Sequence, residues 1–419
     1  MKGENSVNSV ISIPRLSTSG LISRLTYRPT RNNILSFHEV AESCQSFIKL
    51  TNYQKGIYKI MKKVGILVGR EKSFPESLIQ TINERGAGEV TAEMITVGGI
   101  RLDEPKRYDV IVDRISHEVP YYRAMLKRFA LEGTLIINNP FWWAADDKFF
   151  NYCLAAKLGV AIPKTVLLPQ RAYIKDITPE SLRNLEYPID WQGIVDYVGF
   201  PAFLKPFDGG GWKNVSKINS LHELWTEYNQ TGTLCMTLQE GIEFDHFVRC
   251  YCVGQEEVLV MPYDPTKPYL SGMQYVNIED YLTPELHERV VKDVRTICRA
   301  LGYNLNTVEF AIKDGIPYAI DFMNPAPDAE LASVGEYNHN WVVNAVTNFI
   351  LKTLREETLT APVYRWDAML NPQSSQSNPQ PADAASQTKK KAPRAKKLET
   401  GIENTAAPKT PRAKKAASE

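Results

Sequence analysis

The chain lacks the features that commit a protein to several large functional classes. Among its 419 residues no apolar run approaches the roughly 18 needed to span a bilayer, and no positive-then-apolar-then-small signal opens it. The six cysteines (Cys44, Cys153, Cys235, Cys250, Cys252, Cys298) form no C-x-x-C pair and no Cys/His grouping with zinc spacing. That absence points to a reducing compartment in which thiols serve as small apolar residues. The expectation is a soluble, cytoplasmic protein. No G-x-G-x-x-G follows the first strand-like run, because Gly65 and Gly69 do not fit it, so a dinucleotide site is excluded there. A Walker loop and a G-x-S-x-G nucleophile motif are missing as well.

Net charge is nearly absent too, at +1, but that sum hides an asymmetry. Residues 1–60 carry eight Lys/Arg against three Asp/Glu, and residues 371–419 carry ten against four, so the body between them is strongly acidic. The body offers no electrostatic reason to bind nucleic acid. The first sixty residues are rich in Ser, Asn, Thr and Arg without a sustained period. They read as a poorly ordered extension ahead of the strand in MKKVGILVGR, or as a transit peptide, since acids are scarce before Glu39. The tail from Asn371 has few large apolar residues and repeats PRAKK at 393–397 and 411–415, a composition that predicts disorder. Its lysines could hold nucleic acid or acidic protein loosely, or serve solubility alone.

What is present is an alternation of strands and helices. VGILVG, a helix opening at Pro75, VTAEMITVGG, YDVIVDRIS, the helix of VPYYRAMLKRFALEG closed by Gly133, and TLIINN read as a small parallel α/β domain. DDKFFNYCLAAKLG follows, with Asp146 as its cap and Gly159 as its end. Further strands lie in KTVLLP, TLCMTLQEGI, FVRCYCVG and EEVLVMPYD, and LTPELHERVVKDVRTICRALG forms an amphipathic helix. TVEFAIKDGIPYAIDF reads as a hairpin, and WVVNAVTNFILKTLREE as the last helix.

Two stretches carry chemistry. In FLKPFDGGGWKNVSKI, Lys205 closes a strand and Gly209, Gly210 and Gly211 offer backbone N–H groups that an anion can approach because no Cβ intervenes. A lysine beside such a turn suits a polyphosphate. In the hairpin, a three-residue loop Lys313-Asp314-Gly315 sets Ile312 opposite Ile316 and Glu309 opposite Ala319, with Asp321 on the face of Glu309. Two carboxylates on one face repel and call for a cation; with the oxygen of Asn324 they make a hard donor set suited to Mg²⁺. The aromatic residues Trp142, Trp143 and Trp212 read as packing or lid contacts, and His246 and His339 as structural. Arg114 and His117, at the end of a first-domain strand, are candidates for holding a carboxylate substrate.

The order Lys148, Lys205 with its glycines, Gln239-Glu240, Arg249, Glu309, Asp321, Asn324 resembles the ATP-grasp superfamily, closest to the branch of ribosomal-protein glutamate ligases and glutathione synthetases. The resemblance runs from about Tyr108 to Asp328 and includes DRISHEVPYYRAMLKRFALEGTLIINNP and ADDKFFNYCLAAKLGVAIPKTVLLP. It implies an α/β ATP-grasp fold: an N-terminal α/β domain over 61–145, then two α+β subdomains over 146–240 and 241–370 that clamp ATP. Lys148 and Lys205 would contact the phosphates under a mobile loop of Gly209–Gly211. Gln239 and Glu240 would line the adenine slot, and Glu243 or Asp245 the ribose. Glu309, Asp321 and Asn324 would hold Mg²⁺ or Mn²⁺, and Arg249 would lie near the reacting phosphate, with Lys205 its catalytic companion.

This sequence departs from the family pattern in three places. Two residues separate Asp321 from Asn324, so a bulge or strand exit before Pro325 is required for them to share a site. The ribose acid is displaced, which leaves Glu243 and Asp245 in competition. The arginine strand that contacts the acyl phosphate in the glutamate ligases has only Lys267 in its place. The implied activity is an ATP- and Mg²⁺-dependent ligase joining a carboxylate to an amine or thiol through an acyl phosphate, with an amino acid, peptide or protein as substrate. The alternatives are an ATP-grasp kinase of small molecules, or a nucleic-acid-associated binding module that uses the basic tail at 389–415. A homo-oligomer is compatible with either reading.

Overall fold

The computed structural model describes residues 61–141, 147–268, 272–276 and 278–356. The expectations for residues 1–60, for the tail, for Trp142-Trp143 and for Asp146 lie outside them.

The first sheet has the order β2-β1-β3-β4, built from β1 (Lys62–Leu67), β2 (Val90–Met94), β3 (Val110–Asp113) and β4 (Leu135–Ile137), all parallel. Such strands are covered on both faces, which is why β1 and β3 read as continuous apolar runs. The connecting helices are α1 (Ser73–Arg85) and α2 (Pro120–Leu131). Helix α1 begins two residues before Pro75. Its first N–H groups need an acceptor, and the Glu330 carboxylate takes hydrogen bonds from the backbone N–H of Lys72, Ser73 and Phe74 at 3.0, 3.1 and 3.0 Å. No local sequence signal announces a cap supplied from more than 250 residues away.

Helix α3 (Lys148–Lys157) leads to a second, antiparallel sheet of order β5-β8-β6-β7: β5 (Thr165–Leu168), β6 (Ala202–Pro206), β7 (Ser216–Ile218) and β8 (Met236–Glu240). Helices α4 (Trp191–Val198) and α5 (Leu221–Gln230) cover its outer face, and its core (Leu168, Val198, Ala202, Leu204, Ile218, Leu224, Tyr228, Met236, Leu238) is its own.

The third sheet, also antiparallel, has the order β10-β9-β11-β12: β9 (His246–Val253), β10 (Glu257–Pro262), β11 (Leu305–Lys313) and β12 (Ile316–Phe322). Helix α6 (Pro284–Leu301) packs on one face, opened by the Thr283 side chain and Pro284 and closed by Gly302 at φ +70°. The short α7 (Leu331–Val334) and long α8 (Glu336–Glu356) complete the described chain. A single core cluster joins β1, β3, β4 and α1 to Tyr251, Val253, Leu305 and the inner face of α8, so the first and third sheets share one interior.

The hairpin register differs from the sequence reading. Lys313 pairs with Ile316 and Ile312 with Pro317, so the turn is the two residues Asp314-Gly315, both left-handed at φ +51° and +71°. A bulge then absorbs Ile320: Phe310 pairs with Ala319, whereas Glu309 pairs with Asp321. The extra residue sets the two acids directly opposite each other instead of one pair apart.

Candidate active site

The cleft faces of the second and third sheets carry the ionisable groups. Lys205 ends β6 in a buried position. Its ammonium donates to Gln239 Oε1 at 2.8 Å and to the Ile320 carbonyl at 3.4 Å, and lies 5.3 Å from the centre of the Tyr152 ring. Burial pushes its pKa down, against the pull of Asp321 and Glu309. Lys148 opens α3, where the Asp147 side chain accepts from Phe150 N at 2.9 Å and caps the helix. The Lys148 N–H donates to Phe207 O at 2.8 Å, which joins the helix start to the head of the glycine loop. Its ammonium reaches Asp321 at 2.5 Å. Burial pulls the Lys148 pKa down, but the charges of Asp321 and Tyr152 and the hydrogen bond to Asp321 together hold it above the ordinary lysine value.

Asp321 keeps 45 % of its side-chain surface open although protein surrounds it, as expected of a carboxylate lining a cleft. Burial works against its charge, but Lys148 and Lys205 hold its pKa below the ordinary aspartate value. Glu309 is pushed the other way by burial, with Asp321 adding to the rise despite Arg249 at 3.4 Å. Asn324 lies past the end of β12. Met323 at φ +67° turns the chain out of the strand, which is the exit that the Asp321–Asn324 spacing requires. The Asn324 Oδ1 accepts from Ala326 N at 3.1 Å and has a second lone pair left.

Two opposed carboxylates, with the Asn324 amide just past the end of β12, offer hard oxygen donors, and the burial that raises Glu309 is a cost a dication would offset. These residues fit magnesium. Arg249 is buried beside Glu309, with Tyr263 5.8 Å from its guanidinium and Thr307 accepting from it at 3.4 Å. Its Nε has no hydrogen-bond partner among the described residues, so one buried donor is left for a ligand or water.

The glycine loop runs between β6 and β7 and is exposed. Gly209 and Gly211 are left-handed at φ +85° and +69°, and a Cβ at any of the three glycines would meet no protein atom within 4 Å. Packing does not demand the missing side chains; positive φ and room for something outside the chain do.

Gln239 is buried and fully engaged: it accepts from Lys205 and donates to Thr165 Oγ1 at 2.9 Å, so here it orients Lys205. Glu240 accepts from Lys164 N at 3.2 Å. Asp245 spends an oxygen on Asp314 N at 3.0 Å in the hairpin turn, whereas Glu243 is exposed and makes no hydrogen bond or ion pair among the described residues. Arg114 is largely engaged within the protein, with its Nη1 lacking a hydrogen-bond partner among the described residues. It is paired with Glu71 through Nε at 2.7 Å, donates to the Pro327 carbonyl at 2.5 Å and sits over Phe74. Beside it, half-buried His117 has an imidazole pKa lowered by burial.

The sequence reading missed Tyr152, whose hydroxyl donates to Ile320 O at 2.8 Å. The signal was available, since Tyr152 stands one helical turn after Lys148 and shares its face.

No protein-family model matches the chain, and no curated protein matches it. Among solved structures, the VanG D-Ala:D-Ser ligase of Enterococcus faecalis is similar with a TM-score of 0.51 at 13% identity, over 70% of this chain and 99% of that one. The D-alanine–D-alanine ligase of Bacillus anthracis complexed with ATP gives 0.48 at 17% identity, over 71% and 97%. A RimK domain ATP-grasp protein of Sphaerobacter thermophilus gives 0.48 at 14%, over 69% and 99%. With a small parallel sheet, two antiparallel sheets facing across a cleft, and the likeness to the VanG ligase over nearly its whole length, the chain has the ATP-grasp fold.

Proposed function

We propose that the protein is an ATP- and Mg²⁺-dependent ligase that joins a carboxylate to an amine through an acyl phosphate. The observation that carries this reading is convergence. The strand that leads into the glycine loop and the acidic hairpin meet at one place, with Lys205 on the Ile320 carbonyl and Lys148 on Asp321. Phosphoryl transfer needs positioning and charge neutralisation more than covalent catalysis, and two buried cations (Lys205, Arg249) and the half-buried Lys148 lie beside two carboxylates, with no nucleophilic side chain required.

In this reading Lys148 and Lys205 hold the triphosphate, and the N–H groups of Gly209–Gly211 close over it. Gln239 keeps the Lys205 ammonium aimed into the cleft. Glu309, Asp321 and Asn324 would hold magnesium, which supplies positive charge against the phosphates. Arg249 steadies the charge that develops on the transferred group, and the closed loop keeps water from the acyl phosphate. The amine then displaces phosphate from the activated carbonyl. Glu243, with its free carboxylate, is the ribose contact we favour over Asp245. The substrate is an amino acid, a peptide or a protein carboxylate.

The test is to incubate the protein with ATP, Mg²⁺, pooled acids and amines, with and without hydroxylamine, and to read products by mass spectrometry against Lys205→Ala. A condensed product, and a hydroxamate when hydroxylamine is present, is the expected result. A phosphorylated product without hydroxamate would replace the ligase with a small-molecule kinase, and absence of any nucleotide turnover would remove the enzymatic reading.

A further inference from the structure

Asn306 is wholly buried in a sulfur-lined apolar cluster, an unusual place for an amide. It lies on β11 opposite Cys252, on the face turned away from the cleft and toward α6. Its Nδ2 group spends its hydrogens on two weak acceptors, Cys298 Sγ and Met323 Sδ, each at 3.4 Å. Burying a primary amide costs free energy that two sulfur contacts do not restore. The return lies on its other atom: Oδ1 accepts from the backbone N–H of Asn324 at 3.0 Å.

That bond falls where the chain leaves the sheet. Met323, a bulky residue, holds φ at +67°, a region that side chains rarely adopt, so the turn needs support from outside the strand. Asn306 supplies it from behind, with its oxygen on Asn324 and its nitrogen against Met323. From the first domain, Asn138 grips the next residue: its Nδ2 donates to Pro325 O at 3.3 Å and to Leu305 O at 2.7 Å, while its Oδ1 accepts from Asn304 N and Leu305 N at 2.9 Å. The start of β11 and the exit of β12 are thereby held against one another.

We propose that Asn306 is a positioning residue that aims the Asn324 side chain into the cleft beside Glu309 and Asp321, acting through the backbone of the Met323–Asn324 turn. The inference rests on the functional reading above. Removing the support of a metal-binding side chain costs about 10–100-fold in metal affinity, while groups that bind the rest of the ligand are spared.

The experiment is calorimetric titration of ATP at graded Mg²⁺ concentrations on the wild-type protein, Asn306→Leu, Asn306→Ala, Asn324→Ala and the double variant Asn306→Leu/Asn324→Ala. Leucine has the branching and heavy-atom count of asparagine and suits the sulfur cluster, alanine removes the amide without adding bulk, and thermal unfolding of both Asn306 variants checks that the fold is retained. Both should raise the Mg²⁺ concentration for half-maximal linkage about 10–100-fold and leave metal-free ATP affinity within about twofold of wild type. Asn306→Leu should add nothing in the Asn324→Ala background, because the two act as one unit. A merely structural residue would shift the melting temperature without moving the magnesium requirement. An unchanged requirement in both Asn306 variants, or losses that add in the double variant, would overturn the proposal and leave the ligase reading standing. Failure of the wild-type protein to show magnesium-linked ATP binding sinks the ligase reading itself, and this inference with it.

Discussion

The second and third sheets contribute opposite halves of the candidate site, yet they are built on different principles. The β5-β8-β6-β7 sheet carries Lys205 and the glycine loop on a core drawn only from its own strands and from α4 and α5. The β10-β9-β11-β12 sheet carries Arg249, Glu309 and Asp321. Its interior continues into the parallel sheet of the first domain through Tyr251, Val253, Leu305 and α8. Polar ties reinforce that union: Glu330 caps α1, Ser73 Oγ accepts from Leu331 N at 2.8 Å, and Arg114 and Asn138 hold the carbonyls of Pro327 and Pro325. The sheet that carries the acids is thus held by its own helices and by the parallel sheet at once. The wall that carries Lys205 and the glycine loop has a core cluster of its own.

The comparison is sharpest where the wall contributes chemistry. Lys205→Ala should lower turnover by about 10²–10³-fold, the usual cost of removing one preorganised donor, with the fold of the acidic sheet unchanged in circular dichroism. Next come paired core truncations. Leu238→Ala in the wall and Ile350→Ala in the shared interior each remove a fully buried side chain and should cost about 2–5 kcal/mol. Hydrogen exchange separates them: the first should speed exchange in residues 165–240 alone, the second in β1, β3 and β9 together. Equal spread from both would abolish the distinction between a wall with its own core and a sheet with a shared interior.

A smaller effect tests the polar seam. Glu330→Gln should cost about 1 kcal/mol by weakening the cap of α1. The pKa of Glu330 is lowered by the N–H groups of Phe74, Ser73 and Lys72, against burial. Its contribution is thus present above the unfolded glutamate value of about 4.3 and lost as pH falls through the lower folded value. Wild type and Glu330→Gln should converge in stability as the medium is acidified, as read by urea midpoints across that window. The smallest change concerns the loop: Gly210→Ala, at an unstrained φ in open space, should alter stability by less than about 0.5 kcal/mol. It should weaken nucleotide binding if the loop backbone meets phosphate, and an unchanged affinity would remove Gly210 from the contact surface.

Much of this architecture was legible in one dimension, because local patterns carried it. The alternation of strands and helices announced a parallel sheet, and the run LTPELHERVVKDVRTICRALG contains the whole of α6. The hairpin was visible but its register was not. The two-residue turn and the bulge at Ile320 each move the pairing, and no local preference distinguishes them from a longer loop without a bulge. Arg114 shows the same limit at a side chain. As a basic residue at the end of β3 it suited a substrate carboxylate, but Glu71 and Pro327, far apart in sequence, reach it first.

Residue types and their order along the chain determined by themselves which chemistry is on offer here: lysines before glycines, then an arginine, then two acids and an asparagine, all carried on recognisable strands and helices. Only the folded chain decided which atoms of those residues are spent and which remain free. Gln239 became the partner of Lys205, Asp245 a cap on a turn, and Asn306 a prop behind Asn324. The reason is physical: a strand or helix is specified by neighbours within a few positions, whereas a buried polar atom must find its partner wherever the fold brings one.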